Sequence, residues 1–203
     1  MRLRTYLFLA FGVGILVFSL PASASAATYY VATTGLNSRS CATATDINTP
    51  KLTISSGLTC LVAGDTLEIR AGTYVEYVVI QNLNGTPASP ITIRNNPGET
   101  VTLRPPAGLS DAVSVFNNAS YVVFDGLTVD GANVLNHALT IDGLDAANPT
   151  HHITLKNSGV KNAPQSGMNI VRGAHTNTIS NNKISNNGFN PPRQSAPRTR
   201  NLY

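Results

Sequence analysis

The chain has 203 residues with 14 Lys and Arg, 10 Asp and Glu and a formal net charge of +4, a length that suits one domain. Five of the basic residues lie close to the two ends. Residues 27–190 contain nine Lys and Arg against ten Asp and Glu, which is a net charge of −1. This balance excludes a basic patch for nucleic acid in the predicted folded part.

Residues 1–26 have the three-part layout of a secretory signal peptide. A basic MRLR precedes an apolar run of 15 residues, and after Pro21 the small residues Ala24 and Ala26 stand before the predicted cut. The alternative is an uncleaved membrane anchor, for which this run is short. We predict a mature chain that begins at Ala27, lies outside the cytoplasm (secreted or periplasmic) and has no membrane contact after cleavage.

The two cysteines are Cys41 and Cys60. In an oxidising compartment such a pair forms a disulfide more often than a metal site, and no neighbouring His or Cys supplies further ligands. Closing a loop of about twenty residues would stabilise the fold by roughly 3 kcal/mol in the chain-entropy model. The alternative is two free buried thiols. Neither interpretation makes these residues catalytic.

From Asp65 onward the chain is a succession of short β-type runs separated by Gly, Asn, Asp and Pro. The phrases Ile93-Arg94-Asn95, Phe124-Asp125-Gly126, Leu155-Lys156-Asn157 and Ile179-Ser180-Asn181 recur at intervals of 31, 31 and 24 residues. Three short strands per repeat and no helix are typical of a solenoid. The sequence therefore predicts an all-β, right-handed parallel β-helix. The alternative is a β-sandwich, whose turns should not repeat in register.

This repeat also predicts what lies at the corners of the coils. Asp125-Gly126 becomes a corner between two sheets, although Asp-Gly between apolar runs would otherwise indicate a hairpin. Asn95, Asn157 and Asn181 fall at the same corner, where stacked amides can bond one another.

The same period aligns charged side chains. Arg94, Asp125 and Lys156 share one position, and Asp130 and Lys161 share a second. Equivalent residues of successive coils lie about 4.8 Å apart at Cα. We expect surface ion-pair ladders that fix the register, each pair worth about 0.2 to 1 kcal/mol. The functional alternative makes Lys156 or Lys161 a catalytic base beside an acidic partner.

Two stretches carry a family resemblance: TYYVATTG at 28–35 and TPKLTISSGLTCLVAGDTLEIRAGTYVE at 49–76. They resemble the start of bacterial secreted proteins of the pectate-lyase-like right-handed β-helix superfamily, which open with a strand, a Gly-rich loop, a short capping helix and a GDT–strand–GTY phrase. The loop departs from many relatives at Leu36-Asn37, where they have an acidic residue. The apolar face that we expect on the capping helix comprises Leu52, Ile54, Leu58, Leu61 and Val62.

These observations divide the chain into four parts. Residues 1–26 are the signal peptide, residues 27–64 the N-terminal strand, loop and cap, and residues 65–190 about five β-helix coils. Residues 191–203 (PPRQSAPRTRNLY) abandon the pattern, and we expect an irregular or disordered tail or the end of a truncated chain.

The resemblance implies chemistry on acidic polysaccharides by β-elimination. That reaction uses a cation, often Ca²⁺, to neutralise a uronate carboxylate, and a Lys or Arg base to abstract the adjacent proton. Asp142 and Asp145 are the candidate metal ligands, and the alternative is an ordinary solvated turn. Arg172, one coil further on, is the candidate base, together with Lys156 and Lys161. The four histidines lack metal-ligand spacing with acidic partners, and we expect them at the surface.

Two function classes follow from this pattern. The first is a secreted, lyase-like protein that processes uronate-containing glycans, and the second is a non-catalytic carbohydrate-binding or adhesin β-helix module. Either one implies a monomer with a polysaccharide partner, and Ca²⁺ is the one cofactor that the resemblance suggests.

Overall fold

The computed structural model describes residues 25–144, 147 and 149–188. Most of the predicted signal peptide, the candidate ligand Asp145 and the tail after residue 190 lie outside these residues. No helix within them has the length and apolarity that a membrane span requires. The described chain forms three parallel sheets that wind around one apolar core.

Each coil contributes one strand to each sheet. Sheet 1 contains β1 (Thr28–Val31), β2 (Thr66–Ile69), β5 (Ile91–Asn95), β8 (Val122–Asp125), β11 (Thr154–Lys156) and β14 (Thr178–Ser180). Sheet 2 contains β3 (Gly72–Tyr74), β6 (Val101–Leu103), β9 (Leu127–Asp130), β12 (Gly159–Lys161) and β15 (Lys183–Ser185). Sheet 3 contains β4 (Val78–Gln81), β7 (Asp111–Phe116), β10 (His137–Asp142) and β13 (Met168–Val171).

Every strand pairs with its counterpart one coil away, which confirms the predicted parallel β-helix. Ile93 pairs with Phe124, and Leu155 pairs with both Phe124 and Ile179. The first three of these side chains are at most 3% exposed and stack in the core. Ile179 is 39% exposed, because no described coil covers it. Burying such side chains stabilises the fold by about 1.5 to 3 kcal/mol each.

The register confirms the predicted alignment of the charged residues. The prediction of surface ion pairs was wrong for Asp130, whose side chain is 0% exposed, and for Arg94, whose ion pair is with Glu68 and not with Asp125. Asp125 is the pairing partner of both Arg94 and Lys156, and Asp130 pairs with Lys161. The Lys156 Nζ atom lies 3.2 Å from Asp125 Oδ2. These pairs are about one strand spacing apart, so the coil alignment that the sequence predicted is right.

The Asp-Gly phrase forms a corner and not a hairpin, since β8 and β9 belong to different sheets. Gly126 has φ +73°, and an added Cβ would lie 2.0 Å from Asn95 Oδ1. Only glycine combines that backbone conformation with so close an approach.

The asparagine ladder is present for two of its three predicted members. Asn181 Nδ2 donates to Asn157 Oδ1 at 2.6 Å, and Asn157 Nδ2 donates to Asp125 Oδ1 at 2.8 Å. Asn95 does not belong to the ladder, because Gly126 at the equivalent position has no side chain to meet it. Its Nδ2 donates to the Glu99 carbonyl instead.

The cap is shorter than the sequence predicted. Helix α1 covers Ile54–Leu58, a 3₁₀ turn at Thr43–Thr45 precedes it, and Thr53 Oγ1 caps α1 by accepting from Ser56 N. Ile54 and Leu61 are buried and Leu58 packs against the core. Leu52 and Val62 are 38% and 59% exposed and lie outside the five-residue helix. Their assignment to the apolar face was wrong.

The loop before the cap is held at two points. Cys41 and Cys60 form the predicted disulfide, with their Cα atoms 5.4 Å apart. Asn37 Oδ1 accepts from the N–H groups of Leu52 and Thr53, both at 3.0 Å. Asn37 is one of the two residues at which the sequence departs from the resemblance, and its amide oxygen accepts hydrogen bonds from backbone N–H groups.

Candidate functional site

The outer face of sheet 3 carries an open groove made of two adjoining depressions of about 430 Å³ and 290 Å³. Asp111, Thr140, Asp142 and Arg172 line both depressions, and Tyr77 and Ser114 line the smaller one. Val113, Leu139 and other alternating residues of β7 and β10 point into the core, so the residues between them face outward. Ser114, Thr140 and Asn169 are register partners in three successive coils. They form a polar rung across the middle of the groove, in which the Cα atoms of neighbouring strands are about 4.8 Å apart.

One end of the groove is built around the Asp111 carboxylate. Its Oδ1 accepts from His137 N at 3.1 Å and its Oδ2 from Ser114 Oγ at 3.4 Å. Ser114 Oγ in turn accepts from Tyr77 Oη at 2.8 Å. This chain of hydrogen bonds connects Tyr77 on one wall to the carboxylate and holds both in place.

The other end is built from Asp142 and Arg172. Arg172 follows β13 with φ +50°, and its Nε donates to Asp142 Oδ1 at 2.8 Å while its Nη2 bonds Oδ2. The hydrogen bond to Asp142 raises the pKa of Arg172; burial opposes this shift, and the charge of Asp142 adds to it. The guanidinium, 60% exposed, therefore stays protonated at the groove edge.

Asp111 and Asp142 belong to different levels along the strands. Asp111 pairs with His137, and the Cα atom of Asp142 lies five residues further along β10, roughly 16 Å along the strand. The Asp111 carboxylate bonds Ser114, whereas the Asp142 carboxylate bonds Arg172. The groove therefore has one carboxylate on each side of the polar rung.

Two buried polar atoms of the groove have no hydrogen-bond partner in the described part of the chain. They are Thr140 Oγ1 and His137 Nδ1, and Thr140 is 8% exposed. An unpaired buried polar group costs about 1 to 3 kcal/mol, and such groups are few in folded proteins. Both residues line the groove, so a polar ligand bound there could supply the missing partners.

The three basic candidates do not come together. Lys156 lies on sheet 1 beside Asp125, and Lys161 lies on sheet 2 with its Nζ 3.9 Å from Asp130 Oδ2. Arg172 lies at the edge of sheet 3. Each points from a different face of the solenoid, so the three cannot act on one substrate group.

The residues present do not fit a Ca²⁺ ion at Asp142. Both of its carboxylate oxygens bond Arg172, whose positive charge would repel a cation. Asp145, the second candidate ligand, lies outside the described residues. Within those residues no group of three or more His, Cys, Asp or Glu side chains is arranged to hold a metal ion.

The histidines are less exposed than we expected. His151 stacks on His175 with ring centroids 5.4 Å apart, and Tyr121 stacks on His152 at 4.4 Å. Burial, followed by the charges of His152 and His175, lowers the pKa of His151. Only His175 of these three is an exposed residue. His137, like His151 and His152, is half-buried, and its Nδ1 atom is buried.

The sequence interpretation reached Asp142 and Arg172 but missed Tyr77, Asp111, Ser114 and Thr140. The signal available for Ser114 and Thr140 was the polar residue between apolar neighbours in AVSVF and ALTID. No comparable pattern marks Tyr77 or Asp111.

Comparison with known proteins supports the fold. No protein-family model matches the chain, and no curated protein matches it. It is similar to the crystal structure of pectate lyase Pel9A, with a TM-score of 0.61 and 18% identity over 78% of this chain and 40% of that chain. An alginate lyase from Paenibacillus sp. str. FPU-7 has a TM-score of 0.46 and 17% identity over 65% of this chain and 55% of that one. A rhamnogalacturonan lyase has a TM-score of 0.36 and 10% identity over 79% and 63%.

The likeness to pectate lyase Pel9A and the three parallel sheets define the fold. The chain has the pectate-lyase-like right-handed parallel β-helix fold. It spans less than two thirds of the length of each of these solved structures. At such low identity the likeness concerns the fold alone, and a function has to be argued from the groove.

Proposed function

We propose that this chain is a lyase-like, polysaccharide-processing β-helix whose sheet 3 groove binds a uronate-containing glycan. The observation that carries the proposal is the combination of the polar rung with an exposed guanidinium at one end of the groove. Sugar hydroxyls match the hydroxyl and amide groups of Ser114, Thr140 and Asn169, which both donate and accept hydrogen bonds. The solved structure with the same fold and a TM-score of 0.61 is a pectate lyase, which agrees with this class of substrate.

Arg172 is the residue that would recognise the uronate. A guanidinium has five N–H donors, and the bonds to Asp142 use two of them. The side chain is 60% exposed, so the remaining donors are open to a carboxylate, which a guanidinium binds in bidentate geometry. Withdrawing charge from a uronate carboxylate makes the neighbouring C–H proton more acidic, which is the requirement of β-elimination. Because the pKa of Arg172 is raised, Arg172 is better suited to binding the uronate carboxylate than to abstracting the proton.

A second candidate function is a non-catalytic carbohydrate-binding module. The observation in its favour is that the guanidinium of Arg172 is held protonated by Asp142, while Lys156 and Lys161 lie on other faces. In this case the groove binds the same glycan and no bond breaks.

Binding and cleavage assays test the proposal together. The secreted protein is titrated with pectate, alginate and chondroitin by calorimetry, and absorbance reports new unsaturated ends with and without a chelator. We expect binding of at least one acidic glycan and weaker binding of methyl-esterified pectin, which lacks the carboxylate charge. Binding without new unsaturated ends would favour the non-catalytic module. Absence of binding to all three glycans would contradict the proposal.

Arg172→Gln is the variant that tests the site, and Arg94→Gln is its matched control. Arg94 also bonds a carboxylate, that of Glu68, through Nε and Nη2, but it lies on sheet 1. Hydrogen bonds to charged groups contribute about 1.5 to 3 kcal/mol, so R172Q should weaken glycan binding about tenfold or more. R94Q should bind as the unchanged protein does. Equal affinity of the two variants would place the glycan elsewhere.

A further inference from the structure

The N-terminus of the predicted mature chain lies against a buried carboxylate. Ala27 N donates to Asp65 Oδ1 at 2.8 Å, and Val62 N donates to Asp65 Oδ2 at 2.9 Å. Asp65 is 2% exposed. Ser25 and Ala26 are exposed, whereas Ala27 is the first residue of the described chain that is partly buried.

Asp65 lacks a cationic side chain as a partner. None of the ion pairs in the described part of the chain includes it, and its two hydrogen-bond donors are neutral peptide N–H groups. A buried charge without an opposite charge is costly. In the uncut chain the nitrogen that faces Asp65 Oδ1 is a peptide nitrogen with one hydrogen.

We propose that signal-peptide cleavage before Ala27 completes this site, because the new α-ammonium group of Ala27 forms an ion pair with Asp65. The export peptidase hydrolyses the Ala26–Ala27 bond: water adds, Ala26 leaves with the new carboxylate, and Ala27 keeps the nitrogen, which is protonated at neutral pH. The neutral donor at 2.8 Å then becomes a charged one with three hydrogens. This proposal does not depend on the function of the groove.

The ion pair would tie the start of β1 to the start of β2. The Ala27 carbonyl already accepts from Thr66 N at 2.8 Å, so both ends of Ala27 bind the turn that leads into β2. The titratable side chains that face the site are Asp65 and Tyr29, and burial, followed by the charge of Asp65, raises the pKa of Tyr29. Tyr29 therefore stays neutral over the range in which an α-amino group titrates.

The experiment compares the chain that begins at Ala27 with a free amine and the same chain acetylated at Ala27. Charge-assisted hydrogen bonds exceed neutral ones by about 1 kcal/mol or slightly more, so acetylation should raise the unfolding equilibrium constant roughly five- to tenfold at pH 7. The ion pair raises the α-amino pKa in the folded chain above its ordinary value of about 8. The advantage of the free amine should therefore be full below that pH and disappear as the pH rises through the raised pKa.

Asp65→Asn is the second arm, since it should abolish the difference between the free and acetylated chains. D65N also loses a charged acceptor for Val62 N, so ¹⁵N NMR of Ala27 in the unchanged protein measures the α-amino pKa without any substitution. A folded-state value at or below about 8 would overturn the proposal, as would a mature chain that mass spectrometry shows to begin elsewhere. Equal stability of the free and acetylated chains at all pH values would do the same.

Discussion

Replacing Asp130 with asparagine tests whether the charge stacks of the coils are confined to the surface or form part of the core. The Asp130 side chain is 0% exposed. Its carboxylate accepts from Arg104 Nη2 at 2.6 Å, Asn162 Nδ2 at 3.0 Å and Ala132 N at 3.1 Å, with Lys161 Nζ at 3.9 Å. D130N keeps the shape, removes the charge and presents an amide NH₂ group to these donors.

The expected loss follows from the burial of each partner. Arg104 and Lys161 are 44% and 40% exposed, so water can solvate them when Asp130 is neutral. The loss is then the charge-assisted hydrogen bonds, and we expect D130N to lower the free energy of unfolding by about 2 to 4 kcal/mol. Asp125→Asn is the matched control: Asp125 is 26% exposed in its pair with Lys156, and D125N should cost no more than about 1 kcal/mol.

Urea unfolding of the oxidised proteins at several pH values measures both effects. Burial raises the pKa of Asp130, but hydrogen bonds from Arg104, Asn162 and Ala132 N and the charge of Arg104 outweigh it, and the net pKa is lowered. The stabilisation is therefore complete above the ordinary aspartate pKa of about 3.9 and is lost as the pH falls through the lower folded value. The gap between wild type and D130N should close in acid. A gap that persists below both values, or equal losses in D130N and D125N, would refute the reasoning.

Three further predictions concern the groove, the corner glycine and the disulfide. Thr140→Val and Thr150→Val each remove a buried hydroxyl without a partner, so neither variant should be less stable than the unchanged protein. Only T140V should weaken glycan binding, roughly three- to tenfold. Equal glycan affinities of the two variants would show that Thr140 is not part of the site. Gly126→Ala should destabilise by about 1 to 2 kcal/mol more than Gly108→Ala, as measured by urea unfolding, because both have positive φ and only the former meets a side-chain oxygen. Both cysteines should resist alkylation until reductant is added, and reduction should cost about 3 kcal/mol of unfolding free energy; ready labelling of the folded protein would contradict the disulfide.

The repeat could be predicted from the sequence because it is a property of strand pairing. From β5 to β11 the strands of sheet 1 recur every 31 residues, so residue i meets residue i+31, as Phe124 meets Leu155. The charge stack of Asp125 and Lys156 follows from the same interval. Asn95 was misplaced because the residue 31 positions further on is Gly126, which has no side chain to extend the ladder.

The candidate site could be predicted only in part. Arg172 and Asp142 were singled out separately, as base and metal ligand, and the structure joins them in one ion pair that suits neither role. Asp111 and Tyr77 escaped notice because each lies beside a loop whose length differs from coil to coil. Their contact through Ser114 therefore has no constant spacing.

The sequence by itself determined the solenoid and its register, because hydrophobic alternation and the recurrence of each strand in the next coil are visible along the chain. It determined the disulfide because the chain has two cysteines. Only the tertiary structure decided which face carries a groove and which side chains meet in it. The two contacts of the groove join residues at different separations: Tyr77 and Ser114 are 37 residues apart, and Asp142 and Arg172 are 30 residues apart. Contacts between outward-facing side chains depend on how the loops direct each chain segment. Core packing does not restrict those positions to apolar residues, so the hydrophobic pattern does not show which of them meet.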